Sequence, residues 1–239
     1  MRRNLFLLII TVIFCSCSIY EEIYFNEDMS VKYQMKLDAS ELMGMVSASS
    51  LSDSPFPTDS VLSFADIMTE HKDSLQTLSA EEQVMLEDLK SVTLQFKNDT
   101  IAKTFFITVL GDFKDSDTLN RTLKMISEQK GKRSEVEAGQ KIVDQLDNTS
   151  KYFWDGKNMK REAQPRISDQ TAETSKDQNM IDMLSTGKMV VKYHFPKRVV
   201  KVNNPDALLS QDGKTIVTQY SIADFIDSTE KINIEIETE

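Results

Sequence analysis

The chain of 239 residues carries 28 basic against 38 acidic side chains, a formal charge of −10, and only two cysteines. An acidic balance of this size excludes a nucleic-acid binder and a protein held to anionic lipid by its basic residues, because both neutralise phosphate with Lys and Arg. The length suffices for one large or two small domains with an ordinary hydrophobic core.

In chain order, the first element is a leader and not part of a fold. Arg2 and Arg3 precede an apolar run from Leu5 to Phe14, and small residues follow, which is the three-part plan of a secretory signal. A helix needs about 20 apolar residues to cross a bilayer, so the run is read as a removed signal. Cutting before Cys17 leaves Ser16 at the cleavage position, whereas cutting before Cys15 leaves Phe14 there. Signal peptidases accept the small residue. Residues 1–16 are therefore expected to leave, taking Arg2 and Arg3 with them, and 17–239 to form the mature chain. The stretch Phe14-Cys15-Ser16-Cys17 resembles the lipobox of bacterial lipoproteins, which implies a diacylglycerol on the Cys17 thiol and a further acyl chain such as palmitate on its amine. The plain alternative is a secreted protein with a free N-terminal cysteine. Once Cys17 is acylated no thiol remains for a disulfide, a zinc site or a nucleophile.

Strand character starts almost at that cysteine. Ile19 to Phe25 reads as one strand, Asn26 to Met29 as a turn, and Val31, Tyr33, Met35 and Leu37 alternate with Lys32, Gln34 and Lys36 as a second. So short a tether, about 10 Å, lays the domain against the lipid, with Glu21 and Glu22 near the head groups and mildly repelled by anionic lipid. Asp38 and Glu41 sit at capping-box spacing ahead of a short helix that residues 47–60 interrupt. Phe64, Ile67, Met68 and Leu75 keep helical spacing, and Ser79 with Glu82 opens a helix from Ala80 to Lys90. Val92, Leu94 and Phe96 alternate as a strand, residues 103–110 read as its antiparallel partner, and Asp115 or Ser116 caps a helix carrying Leu119, Leu123 and Ile126.

From 128 to about 180 the chain turns polar and reads as a partly disordered insertion around an aromatic island, Tyr152-Phe153-Trp154, expected to form a short docked hairpin. Four further strands follow: 189–195, 198–202, 214–220 and a last one carrying Ile232, Ile234 and Ile236. Strands at both termini with helices between predict a single α+β domain: an antiparallel sheet built from the N-terminal hairpin, the central strands and the C-terminal strands, with helices packed on one face.

The hairpin "EEIYFNEDMSVKYQMKLDASELMGM", the helix "SFADIMTEHKDSLQTLSAEEQ" and the ending "VKYHFPKRVVKVNNPDALLSQDGKTIVTQYSIADFID" resemble uncharacterised lipoproteins of Bacteroidota-type bacteria, and more distantly the LppM-type lipoprotein domain. In that group the hairpin turn usually ends in Gly-Ser; here Met29-Ser30 stands there. The resemblance implies a lipoprotein with an α+β fold and assigns no activity or site residue.

Catalytic chemistry finds little footing. The seven glycines frame no G-x-S-x-G elbow and no phosphate cradle. His71 and His194 lack metal-ligand spacing and are read as a solvated and a packed histidine. Asp112, Asp115 and Asp117 lack the glycine and distal glutamate of a calcium loop and are read as helix-capping residues. Met35, Met43, Met45, Met68 and Met85 fall at in-pattern positions and are read as core. A recurring Asp-Ser/Thr motif makes Ser60, Ser74, Thr100, Thr118 and Ser228 candidate O-glycan acceptors, by similarity to the acceptor pattern of exported Bacteroidota proteins. The expectation is a non-enzymatic binding or structural lipoprotein of the cell envelope, most simply the outer membrane, with no cofactor or metal. Its partners are the membrane, through the lipid, and neighbouring envelope proteins or lipids. The alternative is a carrier of lipid or another hydrophobic ligand.

Overall fold

A computed structural model describes residues 18–38, 40, 59–71, 79–99, 101–129, 150–163, 187–222 and 229–239. Cys17, the expected helix after Asp38, Leu75, and the polar flanks 130–149 and 164–186 of the aromatic island lie outside these residues.

The N-terminal hairpin pairs β1 (Ser18–Phe25) with β2 (Val31–Asp38) in antiparallel register, Ile23 opposite Tyr33 and Ile19 opposite Leu37. Its turn is closed by the Asn26 N–H donating to the Ser30 carbonyl at 3.0 Å and by Asp28, which accepts the Ser30 N–H at 3.0 Å. Met29 adopts φ +70°, the left-handed conformation that glycine takes freely and that explains why Gly suits this place. The methionine side chain packs against the core.

β3 (Ser60–Ser63) leads into α1 (Phe64–Glu70), and α2 (Ala80–Leu89) precedes a second hairpin of β4 (Val92–Asp99) and β5 (Thr104–Phe113). The helix α3 (Ser116–Gln129) follows, then the aromatic hairpin of β6 (Ser150–Trp154) and β7 (Asn158–Ala163). The ending supplies β8 (Lys188–His194), β9 (Val199–Val202), β10 (Leu208–Leu209), β11 (Thr215–Ser221) and, after a 3-10 turn, β12 (Ile234–Thr238).

The α+β class holds, and the sheets are largely antiparallel. Two features depart from a single antiparallel sheet. The main sheet has the order β10-β11-β8-β1-β2-β5-β4-β3, and within it β1 and β8 run parallel, Ile23 beside Tyr193. A parallel neighbour needs a long crossover, which the chain between Phe25 and Lys188 supplies. Second, β9 and β12 leave the main sheet and join β7 and β6 in a four-stranded sheet. Pro196 has no N–H with which to continue the ladder, so the chain turns out of the main sheet immediately after β8.

The second sheet covers one face of the main one. Phe25 meets Trp154 and Phe195 at centroid distances of 5.3 and 5.4 Å, and Ile19, Ile23, Tyr33, Val191, Ile216, Ile234 and Ile236 complete the shared core. Full burial of one such side chain stabilises by roughly 1.5–3 kcal/mol. The opposite face of the main sheet carries Tyr20, Glu22, Tyr24, Lys32, Lys192 and His194, none of them fully buried. Met68 is buried and Met35 packs on the core, as expected for filling residues. Met43, Met45 and the Met85 side chain lie outside the described residues.

Candidate functional site

Two polar clusters sit back to back across β1, because adjacent residues of a strand point to opposite faces. Glu21 points inward with Ile19 and Ile23, and Glu22 points outward with Tyr20 and Tyr24.

The inward cluster is a buried ion pair. Glu21 and Arg161 are 2% and 1% exposed, and Arg161 Nη1 lies 3.0 Å from Glu21 Oε2. The Tyr152 hydroxyl donates to Glu21 Oε1 at 2.5 Å, while Arg161 donates from Nε to Ser150 Oγ at 3.0 Å and from Nη1 to the Tyr193 hydroxyl at 3.1 Å. Burial, then the charge of Glu21, raises the Tyr33 phenol well above its ordinary value. Burial alone would lower Arg161, yet the carboxylate beside it holds its pKa well above the ordinary guanidinium value. The Arg161 charge is thus fixed on, and the two partners belong to different sheets. The cluster bolts β1 and β8 to β6 and β7, and the sequence expectation that Glu21 faces lipid head groups is corrected. The alternation Ile19-Glu21-Ile23 carried the signal, since Glu21 shares its parity with two apolar residues.

The outward cluster is half-buried. Tyr24 and His194 stack at 4.1 Å with an interplanar angle of 6°, and His194 Nδ1 lies 3.0 Å from Thr215 Oγ1. Lys192 donates to Glu22 Oε1 at 2.6 Å, and the Tyr24 hydroxyl donates to Oε2 at 3.0 Å. The Lys192 hydrogen bond outweighs burial and holds the Glu22 carboxyl below its usual range. Glu22 is therefore neutralised within the protein, and the expected repulsion between an acidic strand edge and anionic lipid has no source at either glutamate.

A threonine, a histidine and a glutamate close together on the outward face invite a nucleophile reading. His194 Nε2 stands 3.9 Å from Glu22 Oε2, too far for a hydrogen bond, and the Thr215 N–H is spent on Ser210 Oγ at 2.9 Å. An acyl-transfer site needs N–H donors aimed at a developing oxyanion, and this group of strand residues offers none at Thr215. His194 is packed as expected, with burial pushing its imidazole pKa down against the opposing charge of Glu22. His71 is exposed at the C-terminal end of α1.

Asp115 Oδ1 accepts from the Thr118 N–H at 2.7 Å and from its hydroxyl at 2.6 Å, which is helix capping. Thr118 itself is 5% exposed, and Arg121 also donates to its hydroxyl, so a glycan there would require the first turn of α3 to open. Ser60 begins the edge strand β3 and is partly exposed. Ser74, Thr100 and Ser228, like Cys17, lie outside the described residues. Among the described residues no group of three or more His, Cys, Asp or Glu gathers to hold a metal.

Comparison with protein-family models and with curated protein sequences finds no match. Among solved structures the chain is similar to the NMR structure of the folded domain of Mycobacterium tuberculosis LppM, at 9% identity and a TM-score of 0.44, covering 100% of this chain and 95% of that one.

Proposed function

We propose that the protein is a lipid-anchored lipoprotein of the cell envelope, of the kind found in Bacteroidota-type bacteria, acting at the membrane as a non-catalytic binding or structural module. The observation that carries this reading is the start of β1 at Ser18, one residue after Cys17, as the fourth of eight strands in the main sheet. An acyl chain on Cys17 would hold the centre of the fold directly, with no tether between. Neighbouring envelope proteins or lipids, and an outer-membrane location, follow as the matching partners and place.

Metabolic labelling with a fatty-acid probe tests the anchor. Cys17→Ala is expected to lose the label and Cys15→Ala to keep it. Label retained in Cys17→Ala removes the reading.

A second reading, a carrier of a hydrophobic ligand, draws on Leu94, Phe105, Ile107 and Val109, which lie at the inner face of β4 and β5 and are only partly buried. Native mass spectrometry of the protein after exposure to envelope lipid extract separates the two: a retained lipid beyond the anchor favours the carrier.

A further inference from the structure

The register of the main sheet fixes what stands beside the anchor. Ser18 of β1 lies opposite Asp38 of β2, Asp38 opposite Phe106 of β5, and Phe106 opposite Lys97 of β4. The β4–β5 hairpin runs past that row through Asp99 and Thr104 to its tip. At about 3.3 Å per strand residue, it projects roughly 7–10 Å beyond Ser18. Cys17 can advance no more than about 3.5 Å beyond the same residue. Any lipid on Cys17 therefore draws the hairpin tip to the level of the head groups or past it.

The tip is made for such a place. Ile101 is 95% exposed, the most exposed large hydrophobic side chain among the described residues. Asp99 turns back so that its Oδ1 accepts the Ile101 N–H at 2.9 Å and the Ala102 N–H at 2.8 Å, and these two backbone donors need no water. Exposed Lys97 and Lys103 flank the tip, while exposed Lys188 and Tyr20 line the same end of the outward face. Among the described residues two further acids stand at this end: Asp38 is engaged by the Ser40 N–H at 3.1 Å and by its hydroxyl, and exposed Asp59 precedes β3 beside Lys97. An apolar point between lysines, with a tyrosine nearby, matches the layered chemistry of a bilayer surface: acyl boundary below, phosphates above. The basic residues are local, and the chain as a whole remains acidic.

We infer that the β4–β5 hairpin tip is a second membrane contact, Ile101 entering the acyl boundary of the leaflet that holds the anchor while Lys97 and Lys103 meet lipid phosphates. This rests on the lipid-anchor reading and adds a fixed orientation to it, since an anchor and a tip two strands away define a line along the membrane.

The test supplies the tether chemically, so that it stands apart from acylation in the cell. The mature chain is coupled through the Cys17 thiol to a maleimide phospholipid in vesicles of phosphatidylcholine and phosphatidylglycerol, with and without brominated acyl chains. The protein's single tryptophan, Trp154, is buried near the opposite end, where its indole donates to the Asn26 carbonyl, and reports on the fold. Ile101→Trp is expected to shift its emission to the blue and to lose about half the added intensity to brominated lipid. Lys197→Trp, exposed at the far end, is expected to behave as the parent does. Adding Lys97→Glu and Lys103→Glu to Ile101→Trp should reduce the quenching, more so with phosphatidylglycerol present. Emission from Ile101→Trp that ignores brominated lipid overturns the inference, as does equal quenching at 197. A shift that appears without vesicles and grows with protein concentration also overturns it, by assigning the tip to a second copy of the chain.

Discussion

Arg161 and Glu21 face each other as a fully buried ion pair. Arg161→Ala leaves a buried carboxylate without its counter-charge and is expected to cost about 3–5 kcal/mol in urea unfolding. Adding Glu21→Gln to Arg161→Met should recover much of that loss, because the buried charge is gone and the amide oxygen still accepts from Tyr152. A double variant no more stable than Arg161→Met alone would show that the unpaired carboxylate is not the source of the loss. On the other face of β1, His194 has a folded-state pKa below its unfolded value of 6.5. The unfolded chain thus binds the proton more readily, and the stability tied to neutral His194 is complete above pH 6.5 and fades as pH falls through the lower folded value. His194→Phe keeps the stacking surface on Tyr24 and should flatten the stability profile just below pH 6.5, as read by melts taken from pH 8 to pH 5.

At the scale of elements, α3 adds a side-chain clamp to an apolar face of Leu119, Leu123 and Ile126. Its inward residues Leu119 and Thr122 are fully buried, and Asn120 pairs with both backbone groups of Tyr152 at 2.7 and 2.8 Å. That side chain closes the free edge of β6 as a neighbouring strand would, which protects the second sheet from pairing elsewhere. Asn120→Ala is expected to cost roughly 1–3 kcal/mol by leaving a partly buried N–H and carbonyl unmet. Asp115→Ala removes the cap and should cost about 1 kcal/mol at neutral pH. Although burial pushes the Asp115 carboxyl up, its bonds to Thr118 prevail and hold it below 3.8, so this stability is present above that value and lost as pH falls through the folded one. In β2, Tyr33→Asp or Leu37→Asp places an unpaired charge in the shared core and is expected to unfold the domain, whereas Lys32→Asp on the exposed row should stay within about 0.5 kcal/mol. Lys36 differs from Lys32, because its ammonium lies 3.8 Å from the centroid of the Phe106 ring. Lys36→Asp should cost about 0.5–1 kcal/mol more than Lys32→Asp in the same melts.

For the whole molecule, the parallel seam between β1 and β8 joins the first strand to the ending. The proposed membrane geometry rests on the other side of β1, on its register through β2 and β5 to β4. A flexible Gly/Ser spacer of about 20 residues between Cys17 and Ser18 adds a mean reach of roughly 25 Å without touching the paired Ser18. It is expected to release the Ile101 tip from the lipid and to change the partners captured by envelope cross-linking. An unchanged cross-linking profile would show that close apposition has no bearing on function.

Local pattern determined much of this protein. Periods of two and of 3.6 placed β1, β2, β4, β5, α1 and α3, a capping box placed α2, an aromatic island in a polar stretch marked the β6–β7 hairpin, and the Asp115 cap followed from residue type at the right spacing. The inward parity of Glu21 was equally present in the string Ile19-Tyr20-Glu21-Glu22-Ile23, but a carboxylate in a core is permitted only if a cation meets it there. That cation stands on β7, far along the chain, and nothing within β1 announces it. The same distance hid the parallel pairing of β1 with β8, the departure of β9 and β12 into a second sheet, and the alignment of the Ile101 tip with the Ser18 end of β1. Each is a contact between segments remote in sequence, and side-chain periodicity encodes which face of a strand is buried but not which strand comes to lie beside it.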